Sequence, residues 1–173
     1  MSSIRTIVVP HDFSEFAASA LDVGQELATA LGANLHLLHI LQPPAYAYGS
    51  ELYAGGPLYS HDAEHRSLQR QTLQRLQAIA AEFSRPGHPI QAHVVEGSRI
   101  AEAIDHEAAR LVADLIVVGT HGRTGLAHLL LGSVAESTLR HAPCPVLTVP
   151  RHKRVHVETP QSLASREPAA GAL

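Results

Sequence analysis

Tryptophan is missing from this chain of 173 residues, phenylalanine occurs three times and cysteine once. The lone Cys144 excludes a disulfide within the chain and fits a reducing compartment. Flanked by Pro143 and Pro145, it is expected to be a packed structural thiol. Charge of one sign is also scarce, since 13 Lys and Arg stand against 16 Asp and Glu. The formal net charge of -3 cannot hold a phosphodiester backbone, so nucleic acid is not an expected partner. No apolar run reaches the roughly 18 residues that a membrane span requires. The start, Met1-Ser-Ser-Ile-Arg5, passes into a strand-like segment without a signal-peptide core. A cytoplasmic protein with no membrane partner is the expectation.

What the chain does hold is aliphatic. Hydrophobic residues make up 45% and aromatics only 4%, which points to a core of Ala, Val, Leu and Ile. Cores usually stay single up to roughly 250 residues, so one domain is expected.

Ile4 to Val9 is apolar at nearly every position and is followed by the polar turn Pro10-His-Asp-Phe-Ser14. Apolar residues at 17, 20, 21, 24, 27, 28 and 31 then predict a helix, with Ser14 as its N-cap and Gly32 as its stop. Asn34 to Ile40 reads as a second strand. Residues 42–60, with Pro43, Pro44, Gly49, Gly55, Gly56, Pro57 and four tyrosines, read as a long loop. A second helix is predicted from about Asp62 to Phe83 and a third strand over Ile90 to Glu96. Ser98 would cap a third helix running to about Val112, ahead of a fourth strand over Asp114 to Val118. A glycine-punctuated loop spans Gly119 to Gly132, a short helix runs from Ser133 to about His141, and a last strand covers Val146 to Val149. The domain is expected over residues 1–150. Residues 151–173 lose periodicity and gather Pro, Ser, Ala and charge, the pattern of a flexible tail.

Strands alternating with helices predict an α/β fold, a single doubly wound five-stranded parallel sheet with helices on both faces. Strands 1 and 4 are continuously apolar and belong in the middle. Strand 3 alternates, and strand 5 is bracketed by prolines that protect an edge, which gives the order 3-2-1-4-5. In such a sheet ligands bind outside the carboxyl ends where the winding reverses, here at Pro10-His-Asp12 and at 119–133.

Gly119 and Gly122 would let main chain approach a ligand closely. Gly132 and Ser133 open a helix whose unpaired N–H groups favour an anion, and Arg123 could add charge, so phosphate is the expected ligand group. No G-x-x-x-x-G-K-[ST] is present, and no G-x-G-x-x-G follows the first strand.

The spacing G-x2-G-x9-G-[ST], realised as Gly119, Gly122, Gly132 and Ser133, resembles the nucleotide-binding motif of the universal stress protein family. Ile7-Val-Val-Pro-His-Asp-Phe-Ser14, Leu37-Leu-His-Ile40, Asp114-Leu-Ile-Val-Val-Gly-Thr-His-Gly122 and Ala142-Pro-Cys-Pro-Val-Leu-Thr-Val149 extend the resemblance over about residues 3–150. Retention of the glycines is similar to the members that bind ATP. The resemblance implies the same 3-2-1-4-5 sheet, ATP as cofactor with or without Mg2+, and a homodimer paired through the last strand, Val146 to Val149. It places Asp12, with Pro10 beside it, next to the nucleotide, and the main chain of Ile40 against adenine. Gly119 and Gly122 would meet ribose and phosphate. Gly132, Ser133 and Val134 would donate to the terminal phosphates, and Arg123 holds an often basic position. His11 departs from the smaller apolar residues common there, which could change pocket shape or pH response.

Three functions remain open on these grounds. The first is a dimeric, ATP-binding regulator or sensor of the stress response, acting on an unknown protein partner. The second is a slow ATPase or phosphoryl transferase, for which Asp12, His11 and His121 are the only candidates, none in a recognisable catalytic set. The third is a nucleotide-free scaffold or holdase. Asp12 could also simply cap the first helix, with Glu15 completing a capping box, and Arg123 could be a solvated loop charge. Of the 13 histidines, His61 with His65 and His152 with His156 have an i,i+4 spacing that can chelate metal, but no accompanying motif, and are expected to be surface residues. No metal site is expected.

Overall fold

The computed structural model describes residues 3–43, 58–120 and 131–150, with side chains in the second span from residue 63 onward. Five parallel strands, β1 (Thr6–Pro10), β2 (Asn34–Leu41), β3 (Ile90–Glu96), β4 (Leu115–Gly119) and β5 (Val146–Val149), form one sheet in the order β3-β2-β1-β4-β5. Helices α1 (Glu15–Leu31), α2 (Leu58–Phe83), α3 (Ile100–Arg110) and α4 (Ser133–His141) occupy the connections. The predicted strand order is thus the one observed, with β1 in the centre and β5 on an edge.

Strand alternation sorts the core into two layers. Ile7, Val9, Leu35, Leu37 and Val117 point to one face, where Ala20, Leu21 and Ala28 of α1 and Leu76 and Ala80 of α2 bury them. Val8, Leu38, Ile116 and Val118 point to the other, under Ile104 and Ala108 of α3 and Ala135 of α4. Cys144 is half-buried against this second layer, and burial together with the carboxylates of Asp114 and Asp105 pushes its thiol pKa up, as suits a packed thiol.

The predicted caps of α1 are in place. Ser14 Oγ accepts the Ala17 amide at 3.2 Å, and Gly32 closes the helix at φ 65°, ψ 33°. Strand ends and the end of α3 shift by one or two residues, and two helix starts differ. The second helix begins at Leu58 rather than Asp62, so the loop expected over 42–60 ends earlier, and its tyrosines at 46, 48 and 53 lie outside the described residues. Ser98 does not cap α3; the N-cap is Arg99, which makes no side-chain cap bond, because the helix starts one residue later than the serine requires.

The end of α3 stores strain. Val112 adopts φ 52° and is 77% exposed, a left-handed conformation that a β-branched side chain tolerates poorly. Val112→Asn is expected to stabilise the protein by about 1 kcal/mol, a rise of roughly 2–4 °C in Tm by thermal unfolding. A fall in Tm would show that the valine makes a contact worth more than the strain.

Candidate functional site

At the centre of the sheet the chain leaves β1 toward α1 on one face and β4 toward α4 on the other, and a cleft of about 450 Å3 opens between them at the carboxyl ends of the strands. Pro10, Asp12, Ile40, Gly119, Gly132, Ser133 and Val134 all line it. Of the predicted site residues, Gly122 and Arg123 lie outside the described residues, as does His121.

Three walls give the cleft its chemistry. The floor is apolar, made by Leu38, Ile40, Val118 and, from α3, Ile100 and Ile104. Such a surface suits a flat, largely apolar ring. At the far end stands the start of α4, whose N-cap Gly132 carries no side chain and makes no side-chain cap bond. The amides of Ser133, Val134 and Ala135 precede the first intrahelical donor, Glu136, which bonds the Gly132 carbonyl at 2.9 Å. Those first-turn amides, with the positive end of the helix dipole behind them, form a donor set for an anion. Thr120 fixes the ends of the glycine-punctuated segment: its carbonyl accepts the Gly132 amide at 2.6 Å and its own amide donates to Val149 at 2.9 Å.

The third wall is the turn after β1. Asp12 Oδ1 accepts the Ser14 amide at 3.0 Å, so this carboxylate shapes the turn while Ser14 caps α1. Asp12 lines the cleft as well, but it does not cap α1 as its position before the helix also allowed, since the N-cap is Ser14. Phe13, between them, has φ 67°.

Gly119, which lines the cleft, also has a packing task. A Cβ there would lie 2.8 Å from the carbonyl oxygen of Phe16, so the missing side chain admits the first turn of α1 against β4.

His11 is buried at the end of β1. Its Nδ1 accepts the Phe13 amide at 3.0 Å, and its Nε2 is buried with no partner among the described residues. His11 is also one of the residues that line the cleft. Burial holds this imidazole neutral, with its pKa lowered to about 4; Asp12 opposes the shift, and His39 and Arg75 add to it.

Away from the cleft, His36 of β2 and His93 of β3 share a hydrogen bond of 2.9 Å, Nδ1 to Nε2. Their ring centroids are 5.1 Å apart, the separation of rings lying end to end on a shared proton. Both pKa values are lowered, by burial first; Glu107, 3% exposed, opposes the shifts and Arg110, whose guanidinium bonds Glu107, adds to them. For each lowered histidine the unfolded chain binds its proton more tightly than the native state. Stability is therefore complete above the ordinary histidine pKa of 6.5 and is lost as pH falls below it toward about 4, the His11 value. The expected loss between pH 7 and pH 4.5 is a few kcal/mol, read from urea midpoints. A midpoint flat across that range would remove the burial argument. His65 bonds Glu96 at 2.7 Å, and the side chain of His61 lies outside the described residues, as do His152 and His156. Among the described residues, no group of three His, Cys, Asp or Glu side chains is placed to hold a metal ion.

A doubly wound sheet of this order, with a cleft at the carboxyl ends of its central strands, defines the class of open α/β folds in which ligands bind at the switch point. The chain belongs to the universal stress protein family, whose model matches residues 3–150. A universal stress protein from Thermus aquaticus, found in the 3' region of a QAH/OAS sulfhydrylase gene, is 35% identical over 145 residues, which are 84% of this chain and 98% of the relative. The solved structure of the hypothetical protein MJ0577 superposes with a TM-score of 0.72 at 27% identity, covering 87% of this chain and 99% of that one. A universal stress protein solved in complex with cAMP superposes with a TM-score of 0.56 at 26% identity, covering 87% of this chain and 100% of that one.

No described helix is long and apolar enough to cross a membrane.

Proposed function

We propose that this protein binds an adenine nucleotide, ATP in the first place, in the cleft between β1, β2 and β4, and that it works as a nucleotide-dependent regulator or sensor in the stress response. The observation that carries the reading is that one apolar cleft is lined both by Ile40 near the end of β2 and by the start of α4, whose N-cap Gly132 makes no side-chain cap bond. A base fits the first and phosphates the second. Asp12 and Pro10 border the space between them, where the ribose would lie, and Ser133 adds a hydroxyl to the phosphate end. The cleft volume of about 450 Å3 is in the range that takes a ligand of this size. The relative solved with cAMP supports an adenine nucleotide as the ligand class.

The functional unit in this reading is residues 1–150, followed by a tail over 151–173, and two copies pair through the free edge of β5, Val146 to Val149. Leu147 there is 38% exposed, and a strand edge with an apolar residue on it suits pairing with a second copy. Gly122 and Arg123 complete the phosphate end, Mg2+ accompanies ATP in binding or is dispensable, and the dimer passes nucleotide state to a protein partner in the cytoplasm.

The test is to denature the purified protein, identify any released nucleotide, and titrate the emptied protein with ATP in a calorimeter, with and without Mg2+. Saturable binding by ATP supports the reading. No released nucleotide together with no heat of binding would favour a nucleotide-free scaffold, and steady phosphate release during the titration would favour an ATPase.

A further inference from the structure

Parallel strands bond in a fixed rhythm, and at the cleft that rhythm breaks at one residue. Thr6 pairs with Asn34 and Pro10 with Leu38, and the Asn34 amide donates to the Arg5 carbonyl at 2.8 Å. The even-numbered residues of β2 therefore turn their main-chain groups toward β1. The last rung of this ladder is the His11 amide donating to the Leu38 carbonyl at 2.8 Å. The rung after it would carry the Ile40 amide to the His11 carbonyl. That rung is absent between these two residues. The His11 carbonyl accepts instead from a side chain, the Nδ1–H of His39, at 2.7 Å.

We infer that His39 is a positioning residue for the nucleotide cleft: by occupying the His11 carbonyl it stops β1 and β2 from zipping one rung further and keeps the Ile40 main chain turned to the ligand. The inference rests on the nucleotide-binding reading and adds to it the residue that holds the base-facing backbone open. His39 is well held for the task. Its ring packs on Phe13, with centroids 4.6 Å apart, and the Arg75 guanidinium of α2 lies 4.1 Å from the Phe13 centroid on the same stack. The Phe13 amide in turn binds His11 Nδ1 at 3.0 Å, which fixes the direction of the His11 peptide. The stack braces the turn that also presents Asp12 to the cleft.

The substitution His39→Phe keeps a flat ring on Phe13 and removes the donor, so the His11 carbonyl is released to the Ile40 amide. His39→Asn keeps an N–H donor at the position of Nδ1. In ligand-free wild-type protein, NMR is expected to show no scalar coupling across a hydrogen bond from the Ile40 amide to the His11 carbonyl, and in His39→Phe that coupling is expected to emerge. ATP affinity by calorimetry is expected to fall by at least about tenfold in His39→Phe and to stay within about threefold of wild type in His39→Asn. Inorganic tripolyphosphate, which has no base, should bind both variants as it binds wild type.

An Ile40–His11 coupling already present in the wild-type protein overturns the inference, as does undiminished ATP affinity in folded His39→Phe. An equal loss in His39→Asn and His39→Phe would do the same, since the donor would then be irrelevant. The wild-type coupling decides the point even if His39→Phe fails to fold. Failure of the wild-type protein to bind ATP would remove the nucleotide reading and with it the ligand role of His39, and is told apart from failure of the inference by the coupling measurement, which contains no ligand and tests only the His39 block on the β1–β2 ladder.

Discussion

Gly132→Val is expected to weaken ATP binding by about a hundredfold or more, a loss of roughly 2.7 kcal/mol or greater, while the protein stays folded. The glycine is the N-cap of α4 at φ -72°, ψ 152°, an extended conformation open to any L residue, so the substitution introduces no backbone strain. What it introduces is a branched side chain at the mouth of the first-turn amides, where a phosphate must come within hydrogen-bond distance. Calorimetric titration measures the affinity. A melting temperature within about 4 °C of wild type without ligand, with no further rise on adding ATP, completes the expected result. If ATP raises the Tm of Gly132→Val as far as it raises that of wild type, the start of α4 is not where phosphate binds.

Gly119→Ala should act on the fold itself. The new Cβ would stand 2.8 Å from the Phe16 carbonyl oxygen and 2.9 Å from its carbon, and main-chain atoms of a packed helix cannot move aside as a side-chain end can. A cost of about 2–3 kcal/mol and a fall of roughly 5–10 °C in Tm are expected. Gly24→Ala is the matched control. Its Cβ would come as close, 2.7 Å, but to Val9 Cγ2, a side-chain methyl that can give way, and alanine suits the helix that glycine disfavours. Thermal unfolding of the two variants should show the larger loss at 119. The opposite order would mean that α1 yields at Phe16 more readily than Val9 does in the core.

The sheet was legible because its physics is local to each strand. Ile7-Val-Val9 and Leu115-Ile-Val-Val118 must be apolar on both sides to lie between helix layers, and the Ile90 to Glu96 alternation announces an outer strand. Ser14 and Gly32 were legible for the same reason, as each cap involves only a few neighbouring residues. The start of α2 was not, because Gly55-Gly-Pro57 and the tyrosines draw a loop boundary past residues that are helical from Leu58. At α3 the sequence offers a serine at 98, but the helix starts at Ile100 with Arg99 as its N-cap, and Ile100 and Ile104 line the cleft.

The site divides in the same way. Pro10, Asp12, Ile40, Gly132, Ser133 and Val134 line one cleft as the motif implies, since a fold with this strand order carries the ends of β1, β2 and β4 to one place. The task of Gly119 was hidden because its nearest atoms belong to Phe16, more than a hundred residues away. Ile100 and Ile104 were missed as cleft residues, although their i,i+4 spacing at the start of a helix was a signal. His39 carries no sequence signal for its role, which exists only through the register of β1 against β2.

One consequence concerns how the molecule is made. Asp114 Oδ2 accepts the amides of Arg5 and Thr6 at 2.8 and 3.0 Å, fastening the foot of the first strand to a carboxylate 108 positions beyond Thr6. On a ribosome adding roughly 5–20 residues per second, that fastening arrives about 5–20 s after the strand it secures. Until then the central strand carries a bare flank, and a nascent chain held at that stage is the form of this protein with most to gain from a chaperone.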